Sequence, residues 1–322
     1  SEAEGGLAVI QFDGKGVPMI QKEAAKLKPL ESEPPATKKK EALVGVSYTV
    51  APKERTAEEV AQHLVYPERR RESRLQVPLN ATTDLSALSD MPPEVKGENI
   101  RRLASVARSK TAVMKEIIAD SKKRGAGSKL PLVVVMDGAL HLWKLLATLL
   151  VGIPYVGILD IIHVTQYLWK AATALFGPEN PAGKAWVYRQ LLSLLQGRVG
   201  RVIGALRQMK TKRADLSKSK VKVLDQVITY FENHRQWMKY DQYLAAGYPI
   251  GSGVVESTCG VTVKNRMEGA GKRWSIAGAE SLLLLRSIYT SGDWDDYWTL
   301  HRKRQYAYLY GQAADHQDYT AH

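Results

Sequence analysis

The chain has 322 residues, 44% of them apolar and 25% charged. That balance excludes wholesale disorder and supplies a core for two domains, or for one domain with a large insertion. Lys and Arg number 46 against 33 Asp and Glu, a net charge of +13 that points to a polyanion, nucleic acid first, while the single cysteine, Cys259, excludes an internal disulfide framework and a multi-cysteine zinc site.

In chain order, Leu7 to Phe12 (LAVIQF) reads as a strand ending at Asp13-Gly14. Gly14 and Gly16 allow a tight turn, and Val17 to Ile20 reads as the returning strand. Leu27 to Lys40, rich in Pro, Lys and Glu, reads as a loop, and Ala42 to Val50 as a third strand of an antiparallel meander. Residues 51–94, with five prolines and the run Glu68-Arg69-Arg70-Arg71-Glu72, read as partly helical and loosely packed. Leu103, Val106, Val113 and Ile117 have helical spacing, which predicts a helix over Ile100 to Ala119. Segment 96–129 carries ten Lys/Arg against three acids.

Leu132 to Met136 (LVVVM) reads as a buried strand ending at Asp137-Gly138, with a helix over His141 to Leu150. Tyr155 to Leu159 (YVGIL) reads as the next strand, ending at Asp160, with a helix over Ile161 to Phe176. This strand–helix alternation predicts parallel pairing and an α/β layer. The longest apolar stretch, Leu145 to Leu159, is broken by Gly152 and Pro154 and falls short of the roughly 20 residues of a membrane helix. No basic-then-apolar leader opens the chain, and a soluble, intracellular protein is expected.

Residues 177–246 predict an all-helical block. Leu191, Leu195, Val199, Val202, Leu206 and Met209 share one helical face, and Val221, Leu224, Ile228 and Phe231 another. Between them, 198–222 carries nine Lys/Arg and one Asp. Beyond Gly247, a helix is expected to start near Ser252 and another to run from Ile276 to Thr290. The last 30 residues, aromatic and basic, are expected to fray.

Three acids stand out by position: Asp13 and Asp137 at strand ends, and Glu256 in a Gly-rich loop-to-helix segment. Acids at strand ends in a basic chain suit a hard, oxygen-ligated divalent cation and phosphoryl chemistry. Each has a plainer reading: Asp13-Gly14 as a hairpin turn, Asp137-Gly138 as a turn or cap, Glu256 as an ordinary first-turn acid. Asp160 and His163, one turn apart, form a further pair, or else a helix cap beside a packed ring. Trp274 follows Lys272 and Arg273 and is either a base-stacking group or a core anchor. Cys259 reads as a small buried side chain. The basic runs read as phosphate contacts or as solvated faces.

YPIGSGVVES at 248–257, followed by MEGAGKRWSIAGAESLLLLRSIYTSGDWDDYW, closely resembles the C-terminal part of bacterial insertion-sequence transposases of the DDE class. VIQFDGKGVPM, VVVMDGALHLW and ILDIIHVTQYLW resemble three further segments of that class, in the same order. The resemblance implies an α/β, RNase H-like mixed sheet flanked by helices, formed by 1–176 and 247–322 and interrupted by a helical insertion at 177–246. It implies Asp13, Asp137 and Glu256 as the catalytic, metal-binding triad for two Mg2+ or Mn2+ ions, with Asp160 and His163 in support. DNA, the element's ends and its target, is the implied partner, held by Arg207, Lys210, Lys212 and Arg213 of the insertion. Lys264, Arg266, Lys272, Arg273 and Trp274 would hold it on the C-terminal side. A homodimer or higher oligomer and a cytoplasmic, nucleoid-associated location follow from the same reading, with no membrane partner. A nuclease without strand transfer and a domesticated, non-catalytic DNA-binding protein share these features.

Overall fold

A computed structural model describes residues 6–25, 39–67, 97–213, 216–269 and 271–311. The loop expected before Lys39, the looser part of 51–94 from residue 68 onward and the last eleven residues lie outside the described residues.

One mixed sheet of five strands organises the molecule: β1 (Leu7–Pro18), β2 (Lys39–Val50), β3 (Glu98–Ser105), β4 (Leu132–Met136) and β5 (Val156–Leu159). Its order is β3-β2-β1-β4-β5. The first three strands run antiparallel, and β1, β4 and β5 run parallel.

The expected turn at Asp13-Gly14 is absent. β1 runs unbroken through Gly14 and Gly16, because β2 is long enough to pair with it from Leu7↔Val50 to Pro18↔Lys39. The period-2 alternation persists through the glycines: Val9, Gln11, Val17 and Met19 are all fully buried on one face. The glycines lie on the other face, where an added Cβ would meet the Glu41 and Lys39 side chains. The helix expected over Ile100 to Ala119 is also corrected. Residues up to Ser105 form the edge strand β3, and the helix, α3, is Lys110–Lys123, opened by Ser109, whose hydroxyl accepts from Ala112 N.

Helices cover both faces. The remaining early ones are α1 (Gln21–Ala24), α2 (Ala57–Val65) and α4 (Leu140–Leu149). Ala8, Ile10 and Phe12 of β1 meet Val113, Met114 and Ile117 of α3 and Leu142 and Leu146 of α4 in one core. On the opposite face, Val9, Val133 and Val135 join a larger core with α5 (Ile161–Phe176). That core continues without a break into α6 (Pro181–Leu195), α7 (Val199–Lys212), α8 (Lys218–His234) and α9 (Tyr240–Ala245). The helical block therefore packs as an extension of the sheet's own core. The single face expected from Leu191 to Met209 is split between α6 and α7 at Gly197, whose φ of 75° only glycine adopts without strain.

The chain ends in α10 (Gly253–Thr258), a π turn (Cys259–Lys264), α11 (Ile276–Ser291) and α12 (Trp294–Tyr310). The fraying expected after residue 292 gives way to helix as far as Tyr310.

Both sheet edges are closed by side chains. Along β3, Ser287 and Ser291 of α11 accept from Ala104 N (3.0 Å) and Arg102 N (2.9 Å), and Glu280 accepts from Val106 N (2.8 Å) and Ala107 N (2.9 Å). Along β5, the hydroxyls of Tyr240 and Tyr243 donate to Leu159 O (2.8 Å) and Gly157 O (3.1 Å). An edge strand otherwise presents a row of unpaired backbone groups.

Candidate active site

Register places the acids. β1 pairs with β4 through Phe12↔Met136, and β4 pairs with β5 through Met136↔Leu159. Asp13, Asp137 and Asp160 are the next residues on the three strands, so they form one row where the parallel ladder ends. Adjacent strands lie roughly 4.8 Å apart. The row faces the side of the sheet on which α5 and α10 pack.

Glu256 arrives from α10, and Gln11 delivers it. Gln11 is fully buried in an otherwise apolar run. Its Oε1 accepts from Val255 N (3.0 Å), and its Nε2 donates to Gly251 O (3.1 Å) and Tyr48 Oη (3.1 Å). One side chain thus fastens the loop and first turn of α10 to β1, two residues before Asp13. Ser252 Oγ donates to Glu256 Oε1 (2.9 Å), fixing the carboxylate. Cys259, one turn beyond Glu256, donates from Sγ to Asp13 Oδ2 (3.3 Å).

Each aspartate is held differently. Asp13 Oδ1 accepts from Gly14 N (2.7 Å) and Asp137 Oδ1 from Ala139 N (3.0 Å). Asp160 is completely buried and caps α5. Its Oδ1 accepts from Ser252 N (2.8 Å), and its Oδ2 from His163 N (3.0 Å) and His163 Nδ1 (2.6 Å). Holding Nδ1–H in this way leaves His163 Nε2 as the ring's free nitrogen. Ligand atoms of Asp160, His163 and Glu256 lie within 4.8 Å of one another, and this buried group could hold a metal ion. The set that lies together among the described residues therefore includes the pair expected only in support, with Asp137 and then Asp13 next along the row.

The site's charges act on one another. Burial raises the Asp13 carboxyl above its ordinary value, the Cys259 bond opposes that rise, and the charge of Asp137 adds to it. His163 is raised to about 9, chiefly by its hydrogen bond to Asp160, with burial opposing and the charges of Asp160, Asp137 and Glu256 adding. The Cys259 thiol is raised by burial and then by Asp13, while Lys15, two residues beyond Asp13 on the same strand, acts in the opposite sense. Lys15 is the one cation of β1.

The helical block forms a wall. Tyr167, one turn beyond His163 on α5, stacks on Tyr230 of α8 with centroids 3.7 Å apart. The Tyr230 ring lies where a side chain on Gly138 would stand. His234 of α8 bridges the same loop, with Nε2 2.9 Å from Gly138 O and Nδ1 2.6 Å from Tyr230 O.

Gln11, Lys15, Tyr230 and His234 were not singled out from sequence. A glutamine inside LAVIQF was the one available signal. The others act through backbone carbonyls or through space and leave no pattern in the chain.

The basic candidates lie elsewhere. Arg207 pairs with Glu232, and Lys210 with Asp225 at 2.5 Å. Arg213 donates to Leu175 O (2.8 Å), and Lys212 is exposed. Lys264, Arg266, Lys272 and Arg273 are exposed beyond α10, with Lys272 Nζ donating to Arg266 O (3.3 Å). Trp274 is half-buried against the core and donates from Nε1 to Met267 O (3.0 Å), the arrangement of an anchor.

No protein-family model, curated protein or solved structure matches the chain. Among the described residues, no helix is long and apolar enough to cross a membrane.

Proposed function

We propose that the chain is a DDE transposase with an RNase H-like core, acting on DNA phosphodiesters by metal-dependent cleavage and strand transfer. One observation carries this reading: where the parallel ladder ends, Asp13 within β1 stands in register with Asp137 and Asp160, which follow β4 and β5, and Gln11 brings Glu256 to the same row. The local bonds each aspartate makes, to Gly14 N, Ala139 N and His163 N, do not require the three to share one row. The row gathers carboxylates side by side, and at Asp13 burial first and the charge of Asp137 after it raise the cost of ionisation.

A divalent cation relieves that cost, and the donor chemistry fits one. Asp13, Asp137 and Glu256 offer hard carboxylate oxygens of the kind Mg2+ and Mn2+ take. When bound, a pair of such ions activates water or a DNA 3′-hydroxyl and stabilises the leaving 3′-oxygen of an in-line displacement. Asp160, its oxygens taken by Ser252 N and His163, orients the ring and keeps a proton on Nδ1. Protonated His163 and Lys15 offset charge on the phosphate, and the Tyr167–Tyr230 wall narrows water's access to the row.

The test uses a supercoiled plasmid carrying the gene with its flanking DNA, in Mg2+ or Mn2+. Wild type is expected to cleave it and to join the freed 3′-end to a second DNA. Asp13→Asn, Asp137→Asn and Glu256→Gln are each expected to lower cleavage by about 10³-fold or more while DNA binding persists. Wild-type cleavage by any of the three would sink the assignment. Cleavage without joining would make the protein a nuclease.

A further inference from the structure

The last helix among the described residues, α12, has no place in the core. No residue of α12 is buried. Its start is tethered to the rest of the described residues. Gly292, with φ of 85°, ends α11, Asp293 pairs with Arg101, and Trp294 meets Tyr289 edge-on at 5.7 Å. Beyond that point the helix offers water what a protein normally hides. Tyr308 is 85% exposed, Tyr310 67% and Leu309 65%, with Tyr306 and Trp298 also exposed.

These rings are interleaved with cations. Trp298, Arg302, Tyr306 and Tyr310 follow one another at i, i+4 along one face, and Arg304 and Tyr308 at i, i+4 along another. Tyr306 and Tyr310 already lie against each other, with centroids 4.7 Å apart. From Tyr297 to Gly311 the sequence YWTLHRKRQYAYLYG contains no acid. Charge decides the occupant: the two carboxylates of α12, Asp295 and Asp296, lie in its first turn, and the exposed aromatic stretch beyond them carries only cations, which in a chain of net charge +13 suits a polyanion with flat apolar groups. An unpaired DNA strand has both, whereas a duplex keeps its base faces stacked inside.

We propose that α12 is a docking surface for an unpaired DNA strand, with Arg302 and Arg304 on its phosphates and Tyr306, Tyr308 and Tyr310 stacked on its bases. The proposal rests on the reading of DNA as substrate and adds which part of it this helix takes. The site row and α12 share no residue, so the two can fail separately.

Fluorescence anisotropy of a labelled oligothymidylate, read across a salt series, tests it. Arg302→Ala/Arg304→Ala is expected to weaken binding and to reduce the slope of log K against log salt by roughly 1.4, two phosphate contacts on a single strand. Tyr308→Ala is expected to cost about tenfold in affinity. Because none of these side chains is buried, circular dichroism should show every variant folded. Binding of the variants with wild-type affinity and slope overturns the proposal. So does unchanged binding with loss of a dimer in sedimentation, which would make α12 a contact between two copies of the chain. If the anisotropy results hold while wild type shows no metal-dependent cleavage, the transposase reading fails and the docking surface stands.

Discussion

Gln11 carries more of the site than any of its acids. It occupies a fully buried position on a central strand, where an apolar side chain would cost nothing to desolvate. What it returns is a hydrogen bond to each of two backbone groups, Val255 N and Gly251 O, that no helix or strand ladder satisfies. Gln11→Leu keeps the volume close and orphans both. It is expected to lower stability by about 2–4 kcal/mol, read as the shift of a urea midpoint. It should also cost metal-dependent cleavage, since Glu256 is one residue from the orphaned amide. A Gln11→Leu protein with wild-type stability would show that α10 is held by its apolar contacts alone.

At the scale of elements, the sheet depends on side chains to finish what strand pairing leaves open. Glu280 accepts from Ser105 Oγ, Val106 N and Ala107 N, so one carboxylate terminates β3 and begins the turn to α3. Glu280→Ala is expected to destabilise by about 1–3 kcal/mol, and hydrogen exchange should quicken first at Val106 and Ala107. Exchange that stays slow there would mean that α11 shields the edge by packing alone.

The same scale shows what the sequence made legible. β4, α4, β5 and α5 follow from apolar runs with clean ends, because parallel strands buried on both faces carry no polar alternation to confuse them. β1 was cut short at Asp13-Gly14, where local turn chemistry competes with pairing and the twelve residues of β2 settle the contest. β3 was taken for helix because an edge strand with two arginines has no strict alternation, and Leu103 and Val106 fell by chance on a helical period. The acids were visible, since Asp137 and Asp160 directly follow β4 and β5 and Asp13 follows the apolar run that pairs with β4. Their convergence with Glu256 was implied only by resemblance. No spacing in the chain marks the link from Gln11 to α10 that makes it geometric.

Across the whole molecule, the helical block and the sheet share one apolar core, and this bears on how the site is held. α8 contributes Leu224, Val227, Ile228 and Phe231 to the core that also contains Val133 and Val135 of β4, and it presents Tyr230 and His234 to the loop after Asp137. Trp143 of α4 stacks on Trp237, which follows α8, with centroids 4.2 Å apart, a second joint between block and sheet. A block so joined cannot melt while the sheet stays intact. Phe231 is fully buried, and Phe231→Ala is expected to cost about 3–5 kcal/mol. If block and sheet unfold together, far-UV circular dichroism and tryptophan fluorescence will shift to the same lower urea midpoint, with one transition in each. An early loss of helical signal with the fluorescence transition left in place would show instead that the block folds on its own. The wall beside Asp137 would then be a docked part, free to swing away from the carboxylate row.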